Sequence, residues 1–114
     1  MKKIIASCLI CAFLVNQSLL SVLAADIIVG GPLPTDTNIQ TNGNITDIFT
    51  NTTVNNGQIG INSFDRFNVN QGDIVNLQLI NNQNKLVNLI FDSSASQING
   101  VVNSYLNGQI GGNV

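Results

Sequence analysis

Four oxygen-bearing side chains lie close together in the middle of the sequence and have the chemistry to bind a cation: Asp65, Asn68, Asn70 and Asp73. Calcium prefers carboxylate and carbonyl oxygen ligands, and a calcium-binding loop closes with a bidentate Glu. The spacing of these residues does not match such a loop, and the sequence contains no Glu. We therefore interpret them as residues of surface turns and expect no metal site.

The sequence offers few groups for catalysis. It has no His, and its cysteines, Cys8 and Cys11, both lie near the start. Acid–base catalysis at neutral pH favours His or a carboxylate with a shifted pKa, and a nucleophile needs a neighbouring base. The serines after residue 25 have only Asp or Lys85 as a base: Ser63, Ser93, Ser94, Ser96 and Ser104. We expect no enzymatic activity and no cofactor.

Two short patterns match known sites but are not specific. Gly108, Gly111 and Gly112 resemble a phosphate-binding loop only superficially, because such a loop leads into a helix. The segments 44–46 and 51–53 match N-glycosylation acceptors. In a chain so rich in Asn and Thr, such matches are expected by chance.

The charge balance disfavours nucleic acid as a partner. After residue 25 the basic residues are Arg66 and Lys85, against six Asp residues. Binding to a phosphate backbone needs a basic patch, which this composition cannot supply.

The first 25 residues predict a signal peptide. Lys2-Lys3 gives a positive start, residues 4–15 form an apolar core, and residues 21–25 are small enough for cleavage after Ala24 or Ala25. The apolar core is shorter than the roughly 20 residues of a membrane-spanning helix. We therefore expect export through the Sec translocon and a mature chain that has no cysteine and forms no disulfide.

The rest of the chain has the composition of a β protein. It contains 18 Asn and 7 Gln after residue 25 and is rich in Val, Ile and Thr. Branched side chains favour strands, whereas Asn favours turns. Turns are expected at Asn56-Gly57, Gln71-Gly72, residues 81–84, Asn99-Gly100 and Asn107-Gly108. The expected strands are residues 45–49, 58–61, 66–69, 74–80, 86–91, 97–102 and 109 onward.

The apolar pattern adds detail to this all-β prediction. Residues 26–44 have little periodicity and predict an extended leader or cap. Val75, Leu77 and Leu79 alternate with polar residues, which predicts a strand with one buried face. Residues 86–91 are almost continuously apolar, which is typical of a strand covered on both faces.

Similar short segments start at Gln58, Gln97 and Gln109, each with Gln-Ile followed closely by glycine. Recurrent short strands of this kind are typical of a solenoid, and Asn or Gln side chains can stack in ladders between its strands. The segments have no fixed period, so chance similarity is the alternative. Because the sequence ends at Val114 inside an expected strand without a polar cap, we expect a fragment of a longer chain.

The most informative segment is Asn62-Ser63-Phe64-Asp65-Arg66-Phe67-Asn68-Val69-Asn70. Phe64 and Phe67 would face opposite sides of a regular strand, so both can pack inward only if the chain bends between them. The segment Ser96-Gln97-Ile98-Asn99-Gly100-Val101 follows it.

In this order, the two segments make residues 45–114 resemble the secretion (TPS, or haemagglutination-activity) domain of filamentous haemagglutinin-type exoproteins of two-partner secretion systems. That family has an Asn-Ser-Phe-x-x-Phe-Asn-Val motif before a Ser-x-Ile-x-Gly motif. The likeness is greatest to large secreted leukotoxins and adhesins of anaerobic Gram-negative bacteria. The Asn-Pro-Asn-Gly signature of the family does not occur within the sequence.

The resemblance implies a right-handed parallel β-helix, which begins at residue 45. It implies recognition in the periplasm by a TpsB-type outer-membrane transporter, folding outside the cell, and a secreted or cell-surface product whose host-cell target is bound by a downstream region. The residues it marks for partner recognition or β-helix packing are Asn62, Phe64, Phe67, Asn68, Asn70, Ile98, Asn99 and Gly100.

Two other functions compete with this one. The Asn and Gln content also suits a self-assembling extracellular fibre subunit. An independent periplasmic binding module is disfavoured, because the chain has few polar recognition groups other than amides.

Overall fold

The computed structural model describes residues 25–114, and all regular secondary structure in this part of the chain is β-strand. The predicted signal peptide lies outside the described residues, except for Ala25, which begins the first strand. The strands are β1 (Ala25–Val29), β2 (Thr37–Asn42), β3 (Ile45–Thr50), β4 (Thr53–Val54), β5 (Ile59–Val69), β6 (Ile74–Leu79), β7 (Lys85–Ile90), β8 (Val101–Leu106) and β9 (Gln109–Ile110). The predicted all-β class is confirmed.

The strands form two mixed sheets. In one, β5 pairs antiparallel with β1 and β4 and parallel with β7. The other has the order β2-β3-β6-β8-β9, in which β3, β6 and β8 are parallel and the two edge strands are antiparallel. A parallel β-helix is therefore not shown, because antiparallel strands border the parallel ones.

One hydrophobic core joins side chains of both sheets. Val75, Leu77 and Leu79 are buried and alternate with half-buried residues along β6, as predicted. Such alternation follows from the period of two in a pleated strand. The whole buried cluster is Ile48, Phe64, Phe67, Val69, Val75, Leu77, Leu79 and Leu86.

The predicted leader, residues 26–44, is more regular than its sequence pattern indicates. It contains most of β1 and all of β2, which pair along the edges of β5 and β3. Ala25, Ile27 and Ile39 also pack against the core. The sequences of β1 and β2 show little alternation of apolar and polar residues, because edge strands bury only part of each side chain.

Four predicted strands differ from the structure. The separate strands 58–61 and 66–69 belong to one long strand, β5, and the strand expected at 97–102 begins only at Val101. Residues 86–91 are not covered on both faces, since Ile90 is 40% and Phe91 45% exposed. Among residues 25–114, β7 beyond its first residues has a paired neighbour only on the β5 side.

The turns use residues that tolerate left-handed backbone. Asn56, Asn81 and Asn107 have positive φ, as have Gly57 and the other turn glycines, which confirms most of the predicted turns. Asn99-Gly100 is different, because neither residue has a positive φ. In the described part of the chain, no helix is present that is long and apolar enough to cross a membrane.

Candidate functional site

A β-bulge in β5 turns Phe64 and Phe67 to the same side. The pairing with β1 shifts register between Ile28 and Val29, which leaves Asp65 as the extra residue of β5. Both phenylalanines are buried, with ring centroids 5.1 Å apart and ring planes at 67°. This edge-to-face contact is favourable beyond the area it buries. The bend expected from the sequence is therefore this bulge.

The chain that follows β1 is fixed to the bulge by backbone and side-chain hydrogen bonds. Gly31 N donates to Oδ1 of Asp65 at 2.8 Å, and Gly30 N donates to the Ser63 carbonyl at 3.1 Å. The Ser63 hydroxyl in turn donates to the Gly30 carbonyl. A Cβ atom on Gly30 would overlap the Asp65 carboxylate, and one on Gly31 would overlap the Phe91 ring. Gly31, which has a φ of 90°, needs glycine, whereas a side chain at Gly30 would have to displace the exposed Asp65 carboxylate.

Arg66 joins three segments at the surface. Its Nη1 lies 3.4 Å from Oδ2 of Asp26 in β1, and its Nε lies 3.8 Å from Oδ2 of Asp92 after β7. The Arg66 and Asp26 side chains are 47% and 41% exposed. Exposed ion pairs of this kind contribute about 0–1 kcal/mol, so the bulge depends mainly on packing and hydrogen bonds.

The two motifs singled out in the sequence contact each other. Val69 forms a parallel bridge with Ile98, in which Val69 N donates to the Gln97 carbonyl at 3.0 Å and Asn99 N donates to the Val69 carbonyl at 2.7 Å. The side chain of Asn68 adds a third bond, because its Oδ1 accepts from Gln97 N at 2.9 Å. The segment before β8 is therefore fixed to the end of β5.

Gly100 packs directly against the turn that follows β5. A Cβ atom at this position would overlap the carbonyl oxygens of Asn70 and Asp73. Those oxygens accept from Asp73 N at 3.1 Å and from Val101 N at 2.9 Å, respectively, so the turn cannot move away without losing hydrogen bonds. Close approach of two backbones, rather than turn conformation, explains the glycine.

Polar side chains form a ladder across β3, β6 and β8, here called the Asn76 ladder: Asp47, Asn76 and Asn103. Nδ2 of Asn76 donates to Oδ1 of Asp47 at 3.0 Å, and Nδ2 of Asn103 donates to Oδ1 of Asn76 at 3.1 Å. Gln78 donates to the same Asp47 oxygen at 3.1 Å. The ladder satisfies part-buried polar groups and fixes which residues face each other.

A second ladder, here called the Asn62 ladder, crosses β2, β5 and β7. Oγ1 of Thr37 donates to Oδ1 of Asn62 at 2.9 Å, and Nδ2 of Asn62 donates to Oδ1 of Asn88 at 2.9 Å. Asn62 is fully buried. A buried amide without these partners would cost about 1–3 kcal/mol, so the ladder is a structural requirement at this position.

Burial divides the residues marked by the sequence. Asn62, Phe64 and Phe67 are buried and cannot reach a partner while the chain is folded. Asn68 and Gly100 are half-buried and lie at the contact between the two motifs, whereas Asn70, Ile98 and Asn99 are exposed. The folded chain therefore brings the marked residues together mainly as packing and hydrogen-bonding groups.

Sequence reasoning missed the close approach at Gly30-Gly31, and it expected amide ladders without identifying the residues that form them. A signal for the ladders exists, because Asp47 and Asn76 lie 29 residues apart and Asn76 and Asn103 lie 27 apart. In a chain with so many Asn residues, that spacing cannot be distinguished from coincidence without the strand pairing.

Within residues 25–114 there is no pocket and no group of acidic side chains that could hold a metal ion. Of the four residues considered as cation ligands in the sequence, Asp65 and Asn68 use their Oδ1 atoms to accept hydrogen bonds from Gly31 N and Gln97 N.

A scan against protein-family models gives no match to this chain, and a search of curated proteins gives none either.

Proposed function

We propose that this chain is the secretion-targeting domain of a large exported adhesin or leukotoxin, recognised by a TpsB-type outer-membrane transporter. In this proposal it folds outside the cell as the beginning of a right-handed parallel β-helix. The observation that carries the proposal is the contact between the two family-like motifs, through Val69 and Ile98. Motifs separated in sequence but joined in the fold are expected if both serve one structural unit.

The parallel strand pairs support the β-helix part of the proposal. Residues that share a ladder contact are separated by 29, 27 and 26 positions for Asp47–Asn76, Asn76–Asn103 and Asn62–Asn88. Nearly constant separations in parallel ladders are what successive coils of a solenoid produce. In this interpretation β1, β2 and β4 cover the first coil.

The burial pattern supports recognition before folding. Phe64 and Phe67 are inaccessible in the folded chain but exposed in an extended one. An extended segment can pair with an open sheet edge on the transporter, which supplies backbone hydrogen bonds and side-chain pockets. The absence of cysteine after residue 25 suits passage of an unfolded chain, because a disulfide-linked loop would obstruct a narrow pore.

Substitutions in a strain that secretes the chain through its transporter test this function. Phe67→Asp should lower the amount outside the cell at least about tenfold, while cleavage of the signal peptide is unchanged. Val54→Asp is the matched control, because Val54 is 47% exposed in β4 and lies outside both motifs. Secretion of Phe67→Asp at the level of the unaltered chain would contradict the proposal.

A fibre subunit is the second candidate, and the polar ladders together with the partly unpaired edges of β7 and β8 favour it. Stacked amides and open edges are features of fibrous β assemblies. A fibre subunit should form dye-binding fibrils from the purified exported chain and should need no transporter. A soluble monomer whose export depends on the transporter would exclude this candidate.

A further inference from the structure

The outer edge of β8 is only partly paired. Its neighbour β9 pairs with Tyr105 and Leu106 and leaves the first half of β8 without a partner strand in the described structure. Val101 and Val102 are 49% and 38% exposed there, although Val75, which pairs with Val102, is fully buried. A strand edge with exposed apolar side chains is a template for another strand.

The Asn76 ladder has a direction that Asp47 sets. An ionised carboxylate only accepts hydrogen bonds, so Asn76 must direct its Nδ2 toward β3. Its Oδ1 then faces β8 and accepts from Nδ2 of Asn103. By the same geometry, Oδ1 of Asn103 is directed toward the free edge of β8.

The Asn62 ladder runs in the opposite sense. Oδ1 of Asn62 accepts from Thr37, and its Nδ2 donates to Oδ1 of Asn88. The N–H groups of Asn88 are therefore directed toward the outer edge of β7. The two edges present opposite groups, an acceptor on β8 and a donor on β7.

We propose that the free edge of β8 binds an extended strand that runs parallel to β8 and places a side-chain N–H donor, from Asn or Gln, opposite Asn103. Parallel pairing continues the relation of β3, β6 and β8. An ionised Asp opposite Asn103 would place a carboxylate, which cannot donate a hydrogen bond, against the Asn103 Oδ1. The edge therefore favours Asn over Asp, although the two side chains have nearly equal shape. We assign the strand to the same exported polypeptide, and only this assignment rests on the proposed function.

Labelled peptides with the sequence of residues 101–106 are suitable probes, because that sequence already pairs with β6 in this register. Three peptides carry Asn, Asp or Leu at the position matching Asn103, and binding to residues 25–114, in which this edge of β8 is free, is measured by fluorescence anisotropy. At pH 7 the Asn peptide should bind at least about tenfold more tightly than the Asp or Leu peptide.

Two substitutions in the chain test whether Asn103 causes the difference in binding between the Asn and Asp peptides. Asn103→Leu should remove the discrimination between the Asn and Asp peptides, whereas Asn88→Leu on β7 should leave it intact. If Asn103→Leu does not fold, the peptide series on the unaltered chain decides. Equal binding of the three peptides, no binding to the folded chain, or self-association that the Asn peptide does not displace would overturn the proposal. The peptide series needs no transporter, so its outcome is independent of the export assays.

Discussion

The side chains of Asn76 and Asn103 share a 3.1 Å hydrogen bond although the two residues are 27 positions apart. Asn76 also donates to Asp47, so a single line of hydrogen bonds crosses three parallel strands. A register slip of one residue would move these amides to the other face and leave them without partners. Packing and polar pairing thus specify the same strand alignment.

The direction of the ladders predicts that two similar substitutions have different effects. Asn103→Asp replaces the group that donates to Asn76 with a carboxylate and should destabilise the chain by about 1–3 kcal/mol. Asn88→Asp keeps the oxygen that accepts from Asn62 and should change stability by less than about 0.5 kcal/mol. Urea unfolding of the purified chain at pH 7 measures both. Equal destabilisation by the two variants would show that the ladders have no direction.

The buried Phe64 ring should be the most sensitive aromatic position. Phe64→Ala removes the edge-to-face contact with Phe67 and leaves a cavity, which costs about 3–5 kcal/mol. Val54→Ala, at a 47% exposed position, should cost less than about 0.5 kcal/mol. Thermal or urea unfolding gives both values. A mild effect of Phe64→Ala would mean that the bulge does not place this ring in the core.

Gly100 should tolerate no side chain. Gly100→Ala forces a Cβ atom against the Asn70 and Asp73 carbonyls and should destabilise the chain by about 1–3 kcal/mol. Gly108→Asn is the control, because Gly108 has a φ of 78° with open space around it, and Asn tolerates that conformation. The comparison uses the same unfolding assay. If Gly108→Asn proved the more harmful, close approach at Gly100 would not explain the glycine.

Removal of the Arg66 charge should have a small, salt-dependent effect. Arg66→Gln loses both ion pairs, but Arg66 and Asp26 are 47% and 41% exposed and the less exposed Asp92 lies 3.8 Å away, so the loss should be below about 1 kcal/mol. In about 1 M salt the Debye length falls to roughly 3 Å, and most of the difference should disappear. Unfolding at low and high salt checks this. A large loss that persists in high salt would assign Arg66 a role other than charge pairing.

The sequence predicts the all-β class, most turns and the alternation of β6, because these depend on local residue preferences. Val75, Leu77 and Leu79 show their buried face through spacing alone. β1 and β2 were not predicted as strands, because their edge positions leave no clear apolar alternation. The bulge at Asp65 was foreseen only as a bend, since its position depends on the register with β1.

The sequence predicts which two segments form the candidate site, but it does not predict the contacts between them. Asn62, Phe64 and Ile98 were all marked, yet the bridge between Val69 and Ile98 depends on how β5 ends and how the chain returns before β8. The fit of Gly100 against Asn70 follows from the same return path. These contacts join distant residues, so no local pattern in the sequence specifies them.

Dependence of export on the transporter tests the proposed function most directly. A reporter protein fused after residue 114 is expressed in a Gram-negative host, with and without a TpsB-type outer-membrane transporter. A fusion that retains only the signal peptide serves as the control. The account predicts reporter in the medium only when residues 25–114 and the transporter are both present. Equal export without the transporter, or retention in the periplasm with it, would contradict the account.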